Sequence, residues 1–351
     1  RFPDFPWDTI ADAKARAAAH PDGIVDLSIG SPVDDSPALA QQALAAASNA
    51  PGYPTVHGPA ALREAVVDHL GRRFGVQGLD PAAVLPTIGS KELIANLPAQ
   101  LGLGPDDTVV FPRLAYPTYA VGAAFTGSRA VAADHPDDYG PSVPALIYVN
   151  SPANPTGQVR SADWLRDVVR WAREHEALVV SDECYLEFGW TAEPVSALHP
   201  DVCGDSHEGV LALHSTSKRS SLAGYRDAVV AGDPAVVREL LEVRKHLGFM
   251  QPAPMAAAMQ AVLADDAHVD AQRELYRTRR ATLLAALTGA GFTIEHSEGS
   301  LYLWATRGES GRATVDWLAD RGILVAPGDF YGDGGRDFVR IAFMATDERI
   351  A

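Results

Sequence analysis

The chain has 351 residues, with 45 acidic against 29 basic side chains and a formal net charge of −16 at pH 7. This length exceeds the size at which a single hydrophobic core stops growing, so we expect two domains. The acidic balance argues against nucleic acid or an anionic membrane as a partner, and no apolar run approaches the length that spans a membrane.

The two cysteines, Cys184 and Cys203, are too few for a disulfide framework. Their scarcity is typical of a reducing compartment and predicts a cytoplasmic protein. The sequence begins at Arg1 and stops at Ala351, and we expect both ends to be trimmed.

The first third of the chain predicts helices joined by loops rich in glycine and proline. An alanine-rich helix is expected over residues 9–19, and a strand over residues 24–29 ends at Gly30. Two further helices are expected over residues 37–48 and 59–74. The loop between them contains Tyr53.

Strands and helices alternate between residues 83 and 231. This alternation predicts a mostly parallel sheet with right-handed crossovers. The predicted strands are 83–88, 107–111, 145–149, 177–180 and 210–213, and the predicted helices are 92–101 and 162–174. Beyond residue 233 the pattern becomes helical, with one long helix expected over residues 265–288.

The C-terminal part of the chain predicts a smaller α/β unit. Its expected strands are 292–295, 300–305 and 338–343, its expected helix is 314–321, and the apolar segment 323–328 follows that helix. We find no internal repeat.

Lys218 follows a buried strand, at the sheet edge where α/β proteins place their chemistry. Lysine forms Schiff bases with carbonyl compounds when burial or a neighbouring cation lowers its pKa, and Arg226 is a candidate for that cation. Ser215, Ser217 and Arg226 would provide the hydroxyl groups and the guanidinium fork that hold a phosphate dianion. A lysine beside a phosphate site indicates pyridoxal phosphate, although a solvated loop lysine is the alternative.

Two further positions indicate anion binding. Gly89, Ser90 and Lys91 form a strand-to-helix turn, where backbone N–H groups and the helix dipole favour a phosphate. Arg340 lies within an apolar predicted strand and therefore requires an anion, either a substrate carboxylate or an internal ion-pair partner.

The sequence from Ser215 to Arg226, read as Ser-x-Ser-Lys-x-x-x-Leu-Ala-Gly-x-Arg, resembles the lysine signature of the class I/II, fold-type I pyridoxal-phosphate aminotransferases. The Asn154-Pro155-Thr156-Gly157 turn and the intervals from Asn154 to Asp182 to Lys218 fit the same family. The likeness extends over residues 23–345. It implies an α/β fold with a large cofactor domain over 34–265, built on a mostly parallel seven-stranded sheet. A small domain would combine residues 1–33 and 266–351.

The resemblance implies roles for individual residues. Lys218 would carry the cofactor and move the proton, Asp182 would keep the pyridine nitrogen protonated, and Tyr185 and Asn154 would bond the ring oxygen. The remaining implied contacts are Tyr116 stacked on the ring, Gly89, Ser90, Lys91, Ser215, Ser217 and Arg226 at the phosphate, Tyr53 reaching it from the partner of a homodimer, and Gly30, Asn154 and Arg340 at the substrate carboxylate.

Three residues close in sequence to these site residues are given no role in binding the cofactor or the substrate. We assign Tyr119 to packing and Cys184 to a buried structural thiol. Asp227 departs from the family, which usually has a small apolar residue after the arginine. Its carboxylate would either compete with the phosphate for Arg226 or point elsewhere.

Residues 5–9, 50–54 and 324–332 are similar to the actinobacterial branch of succinyldiaminopimelate transaminases. That likeness implies glutamate as amino donor and a role in lysine and peptidoglycan precursor synthesis. Lys91, Arg113 and Arg219 are cations in or beside the cofactor loops, but no succinyl pocket is identifiable. The alternatives are another aminotransferase, for aspartate, aromatic or alanine-type substrates, a carbon–sulfur β-lyase, and a cofactor-sensing regulator, for which no basic helix-turn-helix is evident. We expect no metal ion.

Overall fold

The computed structural model describes residues 5–351, so the first four residues of the predicted small domain lie outside it. The strands of the described chain are β1 Val25–Asp26, β2 Val84–Thr87, β3 Thr108–Phe111, β4 Arg129–Ala132, β5 Leu146–Asn150, β6 Leu178–Asp182, β7 Val210–Ser215, β8 Ala228–Gly232, β9 Thr293–Glu295, β10 Tyr302–Thr306, β11 Ile323–Leu324, β12 Ala326–Pro327 and β13 Val339–Ala342.

The helices vary from one turn to more than six turns. They are α1 Ala11–Ala18, α2 Ala38–Ala46, α3 Ala60–Phe74, α4 Ser90–Gln100, α5 Thr118–Thr126, α6 Ala162–Glu174, α7 Pro200–Cys203, α8 Thr216–Arg219, α9 Pro234–Leu247, α10 Ala253–Leu263, α11 Ala267–Gly289, α12 Gly311–Ala319 and α13 Asp347–Ile350. Among residues 5–351, no helix combines the length and the apolarity needed to cross a membrane.

The central sheet has seven strands in the order β2-β8-β7-β6-β5-β3-β4. Strands β3 to β7 pair in parallel, whereas β8 runs antiparallel to both of its neighbours. The strands of this sheet are mostly buried on both faces, which explains their continuous apolar sequences. The predicted α/β class with a mostly parallel seven-stranded sheet is confirmed.

A smaller sheet forms near the C-terminus in the order β12-β13-β10-β9, and β1 pairs in parallel with β11. One hydrophobic cluster joins this sheet to α1 and the inner face of α11. The strand at residues 25 and 26 is therefore paired with a strand from the last third of the sequence. Two further clusters lie on the two faces of the seven-stranded sheet.

Most predicted elements are present, with ends shifted by one to three residues. The helix predicted over 162–174 has these bounds in the structure. Several elements were not predicted, namely α5, the edge strand β4, strand β8 and the one-turn helices α7, α8 and α13. The strand predicted over 24–29 is shorter, because only two of its residues pair with β11.

Candidate active site

The antiparallel strand β8 brings three chain segments together at one edge of the large sheet. Ala228, its first residue, pairs with Thr87 at the end of β2 and with Ser215 at the end of β7. The turn before α4, the start of α8 and Arg226 therefore meet. A cavity of about 300 Å³ opens there.

The predicted site residues line this cavity, except for Gly89 and Tyr53. Those lining it are Gly30, Ser90, Lys91, Tyr116, Asn154, Asp182, Tyr185, Ser215, Ser217, Lys218, Arg226 and Arg340.

Lys218 extends from α8 into the cavity, and its Nζ donates a hydrogen bond to the carbonyl oxygen of Gly30. Burial lowers the pKa of Lys218 to about 8, an effect that the nearby Arg340 and Arg226 reinforce and that Cys184 opposes. A pKa this close to neutrality leaves part of the amine unprotonated, as a nucleophile for a carbonyl group requires.

One end of the cavity is suited to a phosphate group. Ser215 caps α8 by accepting from Ser217 N at 3.1 Å, and the two hydroxyl oxygens lie 2.9 Å apart. The Arg226 guanidinium lies directly against Gly89, where any Cβ atom would collide with its Nη2. Gly89 also has a φ of 103°, so glycine is required twice over at this turn.

Asp182, at the end of β6, is a buried carboxylate without an ion-pair partner among the described residues. Tyr119 donates to its Oδ2 at 2.7 Å, and the backbone N–H of Cys184 donates to its Oδ1 at 3.2 Å. Burial raises the pKa of Asp182, while these hydrogen bonds act in the opposite direction. A bound cation in the cavity would complete this site, and a protonated pyridine nitrogen has that chemistry.

Arg340, on β13, donates hydrogen bonds to two oxygen atoms at the site. Its Nη1 donates to Asn154 Oδ1 at 2.9 Å and its Nη2 to the Ser28 carbonyl at 2.6 Å. Its Nε has no hydrogen-bond partner, and no carboxylate pairs with it among the described residues. The structure therefore does not supply the internal ion pair that was the alternative reading of this arginine, and an anion from outside the chain would fit it.

Aromatic rings enclose Arg340 and connect it to Tyr185. The Tyr302 ring centroid lies 4.1 Å and the Tyr331 centroid 5.0 Å from the guanidinium carbon. The hydroxyl groups of Tyr302 and Tyr185 are hydrogen-bonded at 2.9 Å. The aromatic surroundings hold the cation in place without neutralising its charge.

Tyr116 and Lys91 form the rim of the cavity. The Lys91 ammonium lies 5.7 Å from the Tyr116 ring centroid and 5.5 Å from that of Phe5. Its side chain is thus placed between two rings, at the outer side of the site.

Tyr53 and two of the predicted cations are not in this cavity. The Tyr53 side chain is 95% exposed on its loop. Arg219 is buried away from the cavity and pairs with Glu187 at 3.1 Å, because consecutive side chains of a helix such as α8 point about 100° apart. Arg113 pairs with Asp138 at 3.0 Å.

Four residues act differently from the sequence prediction or were not predicted. Tyr119, assigned to packing, also donates to Asp182. Cys184 is half-buried rather than a buried structural thiol, lines the cavity and donates to Ser90 Oγ at 3.3 Å. Trp7 and Tyr302 line the cavity as well. Both lie among aromatic and apolar residues in the sequence, a pattern that indicates packing only.

Comparisons with known proteins agree on one family. A family model described as aminotransferase class I and II matches residues 22–351. A probable aminotransferase of Mycobacterium tuberculosis is 63% identical over 100% of this chain and 84% of its own length. The 4-dedimethylamino-4-oxo-anhydrotetracycline transaminase OxyQ of Streptomyces rimosus is 58% identical, over 100% of this chain and 97% of its own length.

A solved structure shares the fold along almost the whole chain. It is a probable N-succinyldiaminopimelate aminotransferase from Thermus thermophilus, with a TM-score of 0.88 and 28% identity. The match covers 99% of this chain and 97% of that one.

Proposed function

The chain belongs to the class I and II aminotransferases, which depend on pyridoxal phosphate, and from this premise we propose that it transfers the amino group of glutamate to a larger oxo acid. The observation that carries the proposal is the cavity in which an amine of lowered pKa, Lys218, and an arginine without an anion, Arg340, face the same space. Such a pair fits a substrate that has a reacting α-carbon and a carboxylate.

When bound, pyridoxal phosphate supplies an electron sink that stabilises negative charge on the substrate α-carbon. We propose that Lys218 would hold the cofactor covalently at rest, and that its freed Nζ would take the proton from the substrate α-carbon and deliver it to the aldehyde carbon of the cofactor. Its lowered pKa supports the role, because a general base works best when its pKa is close to the operating pH.

The other residues would orient the cofactor and the substrate. Asp182, Tyr185, Asn154 and Tyr116 would hold the ring. Gly89, Ser90, Lys91, Ser215, Ser217 and Arg226 would hold the phosphate. The fork of Arg340, supported by Asn154 and Gly30, would bind the substrate carboxylate with two parallel hydrogen bonds.

Two acceptors are proposed for the first assays. The first is N-succinyl-2-amino-6-oxopimelate, in lysine and peptidoglycan precursor synthesis. It is supported by the sequence resemblance and by the Thermus thermophilus structure named above. The second is a ketone on a fused ring system, supported by the name of the Streptomyces rimosus relative and by a large apolar cavity beside the site.

Three broader properties are also proposals. They are a homodimer in which Tyr53 reaches the partner's cofactor, domain limits at residues 34–265 for the large unit, and a cytoplasmic location. The last is supported by the free thiols of Cys184 and Cys203.

The test is the visible absorption spectrum of the cofactor-loaded protein before and after addition of glutamate. We expect the bound-cofactor band to shift to the pyridoxamine form and to return on addition of 2-oxoglutarate. The variant Lys218→Ala is expected to show neither change. A wild-type band that ignores glutamate, together with release of pyruvate and ammonia from cystathionine, would replace the proposal by a carbon–sulfur lyase.

A further inference from the structure

A second, larger cavity adjoins the cofactor site. Its volume is about 1010 Å³, and it shares Phe5, Trp7, Lys91 and Tyr116 with the smaller cavity. Ligand sites usually measure about 300–1,000 Å³, so this space is large enough for a bulky molecule. A short dicarboxylic acid such as glutamate would leave most of it empty.

The walls of the larger cavity combine small side chains with aromatic rings. Helix α5 forms one wall. Its buried face packs closely on α4, where a Cβ at Gly122 would lie 2.9 Å from the Ile94 carbonyl oxygen. Its other face presents Ala120, Val121, Ala124 and Phe125 to the cavity. The rings of Trp7 and Phe330 also line the cavity, 5.2 Å apart between centroids.

The charges around the larger cavity are almost all neutralised. Of its charged lining residues, Arg113 pairs with Asp138, Asp329 with Arg312 and Asp333 with Arg336. Lys91 has no ion-pair partner among the described residues, and it lies at the junction with the cofactor site. Lys91 can meet at most one anionic group, either the cofactor phosphate or a group of the acceptor, so an acceptor with several anionic groups is not accommodated.

Tyr331 adds a hydrogen-bonding group to the same wall. Its side chain is 3% exposed and lines the larger cavity, and its hydroxyl group has no partner among the described residues. A buried hydroxyl normally has one, so this group is available for a hydrogen bond when a ligand is bound.

Resting on the proposed transamination, we propose that this larger cavity binds the distal body of the amino acceptor. The acceptor is a bulky, mainly apolar oxo compound with at least one ring, and Ala120 and Ala124 set the size that fits. N-succinyl-2-amino-6-oxopimelate matches the cavity less well, because it would place distal carboxylates against apolar walls with Lys91 as the one unpaired lining cation in the described chain.

The experiment measures the two half-reactions separately in the cofactor-loaded protein. Glutamate first converts the enzyme to the pyridoxamine form, and indole-3-pyruvate, 2-oxoglutarate or the succinylated amino-oxopimelate then returns it. We compare the wild type with Ala124→Trp, which fills the cavity from an exposed helix position, and with the smaller Ala124→Leu. The matched control is Ala281→Trp, at an exposed position of α11.

We expect Ala124→Trp to slow the return with indole-3-pyruvate about tenfold or more, with Ala124→Leu intermediate, while glutamate and 2-oxoglutarate react within about twofold of the wild-type rates. Ala281→Trp should leave all rates unchanged. An unchanged indole-3-pyruvate rate in Ala124→Trp would overturn the proposal. So would a loss of dimer in sedimentation, which would assign the cavity to a second copy of the chain. A wild-type enzyme that fails with glutamate would instead refute the transamination itself.

Discussion

Asp227 follows the proposed phosphate arginine, yet its carboxylate is directed elsewhere. Its Oδ1 accepts from Gln251 Nε2 at 2.9 Å, and its backbone oxygen accepts from Ser215 Oγ at 3.1 Å. Both Asp227 Oδ2 and Gln251 Oε1 lack a hydrogen-bond partner among the described residues. Burial raises the pKa of Asp227 to about 7, with Gln251 and Arg226 acting in the opposite direction. The residue is therefore a buried acid that titrates near neutrality and does not pair with Arg226 in this structure.

We predict that Asp227→Asn stabilises the protein more at pH 8 than at pH 5. Between about pH 4 and pH 7 folded Asp227 keeps a proton that the unfolded chain has released, so the wild-type free energy of unfolding falls as the pH rises through this window. Asparagine carries no charge, and its amide would supply the donor that Gln251 Oε1 lacks.

Thermal melting of the cofactor-free proteins at both pH values measures this effect. The variant should exceed the wild type by a few degrees more at pH 8 than at pH 5. Asp205→Asn, at an exposed position, is the control and should show no such difference. Equal differences at the two pH values would mean that Asp227 is charged throughout.

At the scale of residues, the sequence identifies groups whose chemistry is unusual for their position. Lys218, Asp182 and Arg340 each follow or interrupt an apolar strand, which is costly without a partner. Tyr119 and Tyr302 escape prediction because a tyrosine among apolar residues has the same sequence signature whether its hydroxyl is used or not. The pairing of Arg219 with Glu187 escapes prediction because the direction of a side chain within the single turn of α8 depends on packing against a residue far away in sequence.

The pair of helices α4 and α5 supports both cavities. Helix α4 begins at the proposed phosphate site and α5 begins just after Tyr116, so their spacing fixes the distance between the ring and phosphate ends of the cofactor site. That spacing depends on Gly122, whose missing side chain lets α5 approach the main chain of α4.

Glycine-to-alanine changes at two helical positions should therefore have opposite effects on stability. In Gly71→Ala the new methyl group has room, 3.5 Å from Val76 O, so the higher helix propensity of alanine should raise stability by up to about 1 kcal/mol. In Gly122→Ala the methyl group would press on a backbone oxygen at 2.9 Å, and separating the helices should cost about 1–3 kcal/mol.

Urea unfolding of the two variants beside the wild type tests this prediction. Gly122→Ala should also weaken cofactor binding, since the α4 turn and Tyr116 would move apart, whereas Gly71→Ala should not. If both variants gain stability, the close approach of α4 and α5 is not tight enough to matter.

Elements with strong periodic patterns are predictable from this sequence, and those formed by small residues are not. The helix over 162–174 has a clear apolar stripe and begins with a serine cap. In contrast, α5 is short, contains glycine and threonine, and forms because it packs on α4. Strand β4 is mostly exposed at the sheet edge, so its sequence lacks the apolar run that marks the inner strands.

For the whole molecule, the exposed position of Tyr53 leads to a prediction about how two subunits share their sites. A side chain that is 95% exposed and absent from the lining of its own cavity fits a role in a neighbouring subunit. If each cofactor site uses its own Lys218 and the partner's Tyr53, two differently defective subunits will complement each other.

We predict that mixing Lys218→Ala with Tyr53→Ala protein restores activity at limiting cofactor. In a mixed dimer one site would combine an intact Lys218 with an intact Tyr53, so random exchange should regenerate about a quarter of the sites. The measurement is transaminase activity after subunit exchange, with each variant alone as control. Activity no greater than the sum of the separate variants would place Tyr53 in its own subunit's site or outside any site.

The position of β8 also determines when the site takes shape during synthesis. Strand β2 has β8 as its neighbour in the sheet, but β8 comes from the ribosome only after β3 to β7 and the chain between them. The turn at Gly89 must therefore remain separated from Ser215 and Arg226 while most of the large sheet is being made. In vectorial folding, the phosphate end of the pocket is the last part of that sheet to assemble, and a nascent chain that stops before residue 228 cannot bring its three parts together.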